Sequence, residues 1–221
     1  MKVLITGTSS GIGYATALKF IAGGFEVIGM DKTGTTITAP AYTHIICDIW
    51  EDKLPEITDI DVLVNNAGQQ STGSTGDCLG DIDVNLKGLI RITEKYGIRA
   101  GIKAIVNIAS VSGHTGAEFP AYAASKGGVL AYTKNTANIV AKYNATCNSI
   151  SPGGVLTKSN SHIIENPALW NEVMDECLLR KWAEPTEIAE WIYFVAVVNK
   201  SMTGQDIIID NGETAKFNFV W

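Results

Sequence analysis

The sequence predicts an α/β fold: one doubly wound, parallel β-sheet with helices on both faces. Three observations predict it. Short apolar runs alternate along the chain with longer segments of helical period, the pattern of strand–helix–strand units. Several of those runs are apolar throughout, without the alternation of a sheet that faces water, as expected when both faces are covered. A glycine-rich turn joins the first run to the first helical segment. In doubly wound sheets that is where a phosphate-bearing ligand meets a helix N-terminus.

The elements follow in order. Val3–Thr6 is the first predicted strand and Gly13–Ala22 the first helix. Strands follow at Phe25–Met30, His44–Cys47 and Val62–Val64, then at Ala104–Ile108, Thr146–Ile150 and Ile207–Ile209. Helices are predicted near 85–97, 120–142, 167–180 and 185–198. Pro185 followed by Thr186 and Glu187 suits a helix start, because proline has no N–H to leave unpaired there. No repeat, linker or low-complexity stretch divides the chain, so residues 1–221 read as a single domain.

Composition narrows the function classes. The chain has 221 residues, 46% hydrophobic and 18% charged, which is globular and large enough for a substantial core. A net charge of −6 with scattered acids argues against nucleic acid, whose footprint is a basic stripe. The apolar runs fall far short of the ~20 residues that cross a bilayer, so no membrane role is expected. Met1-Lys2-Val3-Leu4-Ile5 resembles the start of a secretory signal, but Gly7, Gly11 and Gly13 interrupt it and no cleavage pattern follows. It reads as a buried first strand. Cys47, Cys78, Cys147 and Cys177 stand apart in sequence, as do His44, His114 and His162. The reading is reduced, buried thiols in a cytoplasmic protein, with no metal site.

Thr6-Gly7-Thr8-Ser9-Ser10-Gly11-Ile12-Gly13 forms the first turn. Its glycines permit a tight bend and close approach of backbone to a pyrophosphate, while the helix N-terminus offers unpaired N–H groups. Asp31 ends the second strand, eighteen residues beyond Gly13. An acid at about 20 residues is placed for the ribose hydroxyls of NAD, and it would repel the 2′-phosphate of NADP. NAD is therefore the expected cofactor and NADP the weaker one, with Lys32 next door softening the exclusion. Asp48, with Ile49 beside it, follows the third strand; an adenine contact and a capping role are both open to it. Asn65-Asn66-Ala67-Gly68 ends the fourth strand, where small residues let a cofactor pass and the amides can brace neighbouring strand ends.

Tyr122-Ala123-Ala124-Ser125-Lys126 follows Ser110 by twelve residues. The tyrosine–lysine spacing puts both side chains on one helix face. A phenol of pKa roughly 10 is a poor acid or base at neutral pH, and a neighbouring ammonium is expected to lower it. Such a tyrosine could exchange a proton with a carbonyl or alcohol oxygen.

Assembled, these motifs resemble the short-chain dehydrogenase/reductase family in its compact, Rossmann-type form. The resemblance rests on T-G-x-x-x-G-x-G at Thr6, Gly7, Gly11 and Gly13, N-N-A-G at Asn65–Gly68, Asn85 within Asp83–Gly88, and Ser110 after Val106-Asn107-Ile108-Ala109. It extends through Tyr122 and Lys126, Pro152-Gly153 with Thr157 following, and Thr203-Gly204-Gln205, so it covers essentially the whole chain. It implies hydride transfer between a nicotinamide cofactor and an alcohol/carbonyl substrate. By resemblance Tyr122 is the general acid/base and Lys126 lowers its pKa and binds the nicotinamide ribose. Ser110 holds the substrate oxygen, and Asn85 anchors a water that links Lys126 to solvent. Ser112 competes for the serine role but lies ten residues before the tyrosine, where the family's interval is twelve or thirteen. Ile150 to Gly153 and Val155 would pass beside the nicotinamide, and Thr157 would reach the pyrophosphate or carboxamide or else cap a helix.

The family also implies a substrate lid, here at about 155–184, carrying Asn160, His162, Trp170 and Trp182. The tryptophans are read as lid packing. Gln69, Gln70, His114 and Glu118 are candidate polar contacts. No arginine cluster is present to hold a phosphate or carboxylate, the nearest basic pair being Arg180 and Lys181, so a neutral or weakly polar small-molecule substrate is expected. The chain is shorter than most family members. Only sixteen residues separate Gly68 from Asn85, so the intervening helix is expected to be short or missing. A homodimer or homotetramer is expected through the helices at 85–97 and 120–142, where Ala121, Ala124, Gly127, Gly128 and Ala131 would allow close packing, either between subunits or on the chain's own sheet. A non-catalytic NAD(H)-binding sensor is the alternative function, and a non-redox lyase or isomerase a third.

Overall fold

Val3, Leu4 and Ile5 are each fully buried, yet they face opposite ways. Val3 and Ile5 pack with Ala17, Phe20, Ile188 and Ile192, and Leu4 with Ile28, Leu63, Ile92, Tyr96 and Val140. A strand buried on both faces has no polar side, which is why its sequence does not alternate. In the computed structural model, which describes residues 1–71, 79–117 and 119–216, seven strands form one parallel sheet, the inner ones buried in this way and the edge strands partly exposed.

The strands are β1 (Lys2–Thr6), β2 (Glu26–Asp31), β3 (Tyr42–Ile46), β4 (Val62–Asn65), β5 (Ala104–Ile108), β6 (Thr146–Pro152) and β7 (Asp206–Ile209). Their spatial order is β3-β2-β1-β4-β5-β6-β7. β1 pairs with both β2 and β4, so the strand order reverses there and a crevice opens beyond the carboxyl ends. On one face lie α1 (Gly11–Ala22) and, later in the chain, the helix starting at Pro185.

The other face is covered by a segment that departs from the predicted 85–97 helix. It opens with α2 (Gly80–Ile82), widens into a π-helical stretch Asp83–Gly88, returns to α geometry in α3 (Leu89–Ile92) and widens again at Thr93–Gly97. A helix is therefore present ahead of Asn85, and it is short in α2. Asn85 sits in the first widened turn, a feature that concentrates at functional sites. α4 (Ser112–Thr115), not anticipated, fills the step from β5 to α5 (Pro120–Val140). It packs tightly: a Cβ on Gly113 would lie 2.8 Å from the Lys126 carbonyl carbon. Leu86 packs where a Cβ on Gly128 would stand, 2.7 Å away, so Gly128 serves packing within the chain.

Beyond β6, the chain crosses the sheet's carboxyl edge through a 3₁₀ turn at Lys158–Asn160, α6 (Ser161–Ile164) and α7 (Pro167–Glu176). α7 ends earlier than the predicted 180, because Cys177 is extended and Arg180 has φ of 49°. Leu156 N–H donates to the Ala183 carbonyl at 2.9 Å and Ala183 N–H to that of Gly154 at 3.0 Å, closing the base of the segment. Trp170 and Trp182 meet edge-on at 5.3 Å over Met174 and Cys177. α8 (Pro185–Tyr193) starts where the proline predicted and runs into a π-helical turn, Phe194–Val198. The Glu187 carboxylate accepts from the Glu184 N–H at 2.8 Å, securing its first turn. Cys47, Cys147 and Cys177 are buried free thiols; Cys78 and Glu118 lie outside the described residues.

Candidate active site

A cavity of about 980 Å³ runs along the carboxyl edge of the sheet. Its first wall comes from the glycine turn (Gly7, Ser10, Gly11 and Ile12), and Asp31, Asp48 and Ile49 extend it. Asn66, Ala67 and Gly68 lie along its middle, followed by Ser110, Tyr122 and Lys126. Pro152, Gly153, Val155 and Thr157 complete the far side. The candidates spread over the sequence are thus brought to one crevice, with three exceptions. Ser9, Gly13 and Asn85 stand behind its surface.

Each exception has a packing reason. A Cβ on Gly13 would lie 2.0 Å from the Gly7 carbonyl oxygen and 2.4 Å from Asn66 Nδ2, so Gly13 lets helix, turn and strand end close on one another. Asn66 Nδ2 donates to the carbonyls of Thr6 at 2.9 Å and Gly7 at 3.1 Å, which pins the turn. Thr6 Oγ1 accepts from the N–H groups of Asn66 and Ala67, both at 3.0 Å. Ser9 N–H donates to Asp31 Oδ2 at 3.0 Å, and Asp31 Oδ1 accepts from Thr33 N–H and Oγ1. The Asp31 carboxylate is therefore held rigidly at the cavity wall, with Gly7 at φ 76° making the bend beside it.

Asp48 takes the capping role that the sequence left open, and it does so at the cavity wall. β3 stops at Ile46, and the Asp48 carboxylate turns back to accept from Trp50 N–H at 2.8 Å and Glu51 N–H at 3.2 Å. It caps that turn while lining the cavity. Thr157 also lines the cavity; its Cγ2 lies 3.3 Å from where a Gly11 Cβ would stand.

The buried amides brace the strand ends. Asn65 Nδ2 donates to Thr93 Oγ1 and to Asn107 Oδ1, both at 2.8 Å, and Asn107 donates on to Thr133 Oγ1 at 2.9 Å. This chain ties β4, β5 and α5 together beneath the site. Asn85 Oδ1 accepts from Gln69 N–H at 2.8 Å, while its Nδ2 donates to the Gln69 carbonyl at 2.8 Å and Ser125 Oγ at 3.1 Å. Its amide locks the segment after β4 to α5.

Tyr122 and Lys126 lie at the N-terminal end of α5. Lys126 Nζ sits 5.6 Å from the Tyr122 ring centroid and donates to the Ile108 carbonyl at 2.8 Å. Lys126 is only 5% exposed. Burial pulls its pKa down from 10.5 to about 8, against an opposing pull from the Asp81 carboxylate. Tyr122 differs from the sequence expectation. Burial raises its phenol above the ordinary value of 10.0, the Ser110 hydroxyl lowers it by hydrogen bonding, and Asp81 raises it. Lys126 faces the ring and the Ile108 carbonyl, and desolvation is the largest influence on the phenol. Ser110 is the serine beside the phenol; it also accepts from Ser112 N–H at 3.2 Å, which gives Ser112 a supporting place.

Among the polar candidates, Gln69, Gln70, Asn160 and Trp182 line the cavity, and His114, His162 and Trp170 do not. His114 Nε2 is turned to Asp206 Oδ2 at 2.8 Å and Ser151 Oγ at 3.2 Å, tying α4 to β6 and β7. Arg180 pairs with Asp175, and Lys181 with Glu187 at 2.9 Å. Sequence reasoning missed Glu213, which lines the cavity, and Asp81, which acts on both Tyr122 and Lys126. Asp81 carried a usable signal, since it stands four residues before Asn85 and so shares its helix face.

A nucleotide-binding crevice at the strand-order reversal, with a tyrosine, lysine and serine at its far end, defines an oxidoreductase of alcohol and carbonyl groups that works with a nicotinamide cofactor. The comparisons agree. Residues 7–214 match the family model described as Enoyl-(Acyl carrier protein) reductase. The chain belongs to the short-chain dehydrogenase/reductase family. It is 32% identical to a 3-oxoacyl-[acyl-carrier-protein] reductase of Thermotoga maritima, over 95% of this chain and 96% of that one. The structure of a 4-hydroxyisoleucine dehydrogenase complexed with NADH superposes with a TM-score of 0.84 at 30% identity, covering 98% and 99% of the two chains. An Agrobacterium tumefaciens structure with bound NADP superposes with a TM-score of 0.86 at 26% identity, covering 98% and 97%. Among the described residues no helix is long and apolar enough to cross a membrane.

Proposed function

We propose that this enzyme is an NAD(H)-preferring reductase or dehydrogenase in which Tyr122 exchanges the proton and Ser110 holds the substrate oxygen. The observation that carries the reading is the Tyr122 phenol, half-buried beside Lys126, engaged by the Ser110 hydroxyl and facing the cavity. The residues present fit a dinucleotide. The cradle of Gly7 and Gly13 against Asn66 has no room for a Cβ, and a fixed Asp31 carboxylate lies in the same crevice. When bound, the nicotinamide supplies the hydride. The glycine turn and the start of α1 would receive the pyrophosphate, Asp31 the adenosine ribose, and Lys126 the nicotinamide ribose. Ile108 uses one ammonium N–H of Lys126, and others remain for a ribose hydroxyl. NAD is favoured over NADP because Asp31 would meet a 2′-phosphate with like charge.

The chemistry of the chain's own groups follows from burial. A phenol held above its ordinary pKa keeps its proton at neutral pH. It is therefore a donor, suited to protonating a carbonyl oxygen as that oxygen gains negative charge. Ser110 orients that oxygen, and the fixed strand ends hold both hydroxyls in place before reaction. In oxidation the same phenol must first lose its proton, so that direction is favoured by higher pH.

The substrate reading is a small, neutral, polar alcohol/carbonyl pair. Support comes from the lining, which offers the amides of Gln69 and Gln70 and the Thr115 hydroxyl; among the described residues it includes no arginine, its cations besides Lys126 being Lys32, Lys158 and Lys216. The segment across the carboxyl edge, residues 155–184, is proposed as the substrate lid. Self-association is proposed as well. Exposed apolar side chains occur on α8 and its extension (Trp191, Phe194 and Val198) with Ile208 on the edge strand β7, and also at Ile46 on the opposite edge strand and at Leu178 and Leu179 after α7; on α5 Ala124 and Ala131 are the exposed small residues. The decisive experiment is NADH oxidation across a panel of ketones, keto-sugars and oxoacyl thioesters, with Tyr122→Phe alongside. Turnover that survives in the variant would overturn the assignment.

A further inference from the structure

We infer that Tyr42 and His44 are positioning residues for the adenosine end of the cofactor, holding the Asp31–Thr33 segment in place through a row of hydrogen bonds that crosses β2 at Gly29. The inference rests on the proposed role of Asp31 at the ribose. Tyr42 and His44 stand two apart on the edge strand β3, so their side chains share one face of it. Their rings stack, with centroids 6.0 Å apart and planes inclined by 28°. Tyr42 Oη lies 2.9 Å from Thr8 Oγ1, in the glycine turn, and 2.8 Å from His44 Nδ1. His44 Nε2 lies 2.8 Å from the Thr33 carbonyl oxygen. The row thus joins the turn after β1, the edge strand and the segment after β2. Room for it is made on β2. A Cβ on Gly29 would lie 2.1 Å from Tyr42 Oη and 2.4 Å from Thr8 Oγ1, so a side chain there would displace both hydroxyls.

One end of the row fixes the direction of every bond. A carbonyl only accepts, so His44 Nε2 carries the proton. Nδ1 of the neutral ring is then an acceptor, the Tyr42 hydroxyl donates to it, and the Thr8 hydroxyl donates to Tyr42 Oη. Thr8 is fully buried, so its hydroxyl needs that partner. The same end lies where the cofactor is expected. Thr33 lines the cavity with Asp31 and Lys32. Its N–H and Oγ1 donate to Asp31 Oδ1 at 3.0 and 2.9 Å. Its carbonyl, which also accepts from Ser9 Oγ at 3.0 Å, is the group that His44 holds. The aim of the Asp31 carboxylate therefore depends on a residue that β3 anchors. A side chain that merely closed the edge of the sheet would be indifferent to what this carboxylate binds.

The test is fluorescence titration with NADH and with NADPH of wild type, His44→Gln and His44→Asn, each repeated in an Asp31→Ala background. The glutamine amide nitrogen reaches the level of Nε2 and keeps a donor for Thr33, whereas that of asparagine stops at the level of Nδ1. His44→Asn should weaken NADH binding by about fivefold, the scale of one hydrogen bond, and leave NADPH binding no weaker, so that the ratio between them narrows. His44→Gln should bind both as wild type does. In the Asp31→Ala background His44→Asn should cost nothing further, because the carboxylate it positions is gone. A His44→Asn protein that binds NADH like wild type overturns the inference, and so does a loss that persists in full without Asp31. If that variant does not fold, the same comparison is read from Tyr42→Phe, which breaks the row at its middle. The outcome is separable from the proposed preference for NAD, which the wild-type ratio alone decides.

Discussion

Replacing Lys126 by methionine should abolish turnover and yet make the protein more stable at neutral pH. The buried ammonium has a pKa of about 8 in the fold, against an ordinary 10.5. For a base with a depressed pKa, the unfolded chain binds more protons between those two values, so stability rises with pH across that window and the penalty is fully present below it. A gap of that size corresponds to about 3 kcal/mol at pH 7. Methionine removes the penalty at similar length, but it leaves the Ile108 carbonyl without its donor. That loss costs about 1–2 kcal/mol. The net expectation is a gain of about 1–2 kcal/mol at pH 7, or roughly 3–6 °C in Tm for a domain of this size. By about pH 9.5 the wild-type lysine has recovered roughly 2 kcal/mol of its penalty, and the advantage of the variant should be gone. Urea denaturation of both proteins at the two pH values measures this, because other titrating groups cancel in the difference. A variant less stable than wild type at pH 7, or a difference that stays flat with pH, would refute the reasoning.

Three other expectations can be checked directly. Tyr122→Phe should lose turnover by at least about 100-fold, the usual scale of a general acid, while NADH fluorescence titration shows binding unchanged. Wild type should bind NADH at least about tenfold more tightly than NADPH, and Asp31→Asn, which keeps an acceptor for Ser9 N–H but no charge, should narrow that ratio; equal affinities in wild type would show that Lys32 overrides the carboxylate. Trp191→Lys, placed on a residue 43% exposed, should reduce the particle mass seen by light scattering if α8 and β7 form the subunit contact, and an unchanged mass would exclude that face.

What the sequence made legible follows physical lines. The strands were readable because burial on both faces leaves an uninterrupted apolar run, and boundaries missed by a residue or two are those where pairing extends into polar positions, such as Asn65 and Pro152. The site residues were readable where a backbone requirement leaves a mark: glycines at the turn, an acid after β2, the tyrosine–lysine interval. Three-dimensional contests were not readable. Whether Asp48 would point at a ligand or cap the next turn depends on the turn taken after Ile46, which no pattern announces. His114 looked like a cavity residue by its position after Ser110, but Asp206, distant in sequence, draws it away. The widened turns around Asn85 were invisible for the same reason, since a single extra residue per turn hardly alters the spacing of apolar positions.

The tyrosine pKa is the most instructive of these contests. Local spacing argues that a lysine one turn away lowers it, and that argument holds at a solvated helix surface. Here the same folding that brings Lys126 under the ring also removes water from both groups. Desolvation favours the neutral phenol and the neutral amine alike, so it acts against the very charge separation that the spacing suggests. The buried carboxylate of Asp81 shifts the balance further, keeping the amine charged and the phenol protonated. The resulting pair is a proton donor that keeps its charge although burial disfavours it, which suits carbonyl reduction. A site of this kind is maintained at the expense of stability, and the lysine variant that silences it should reveal how much.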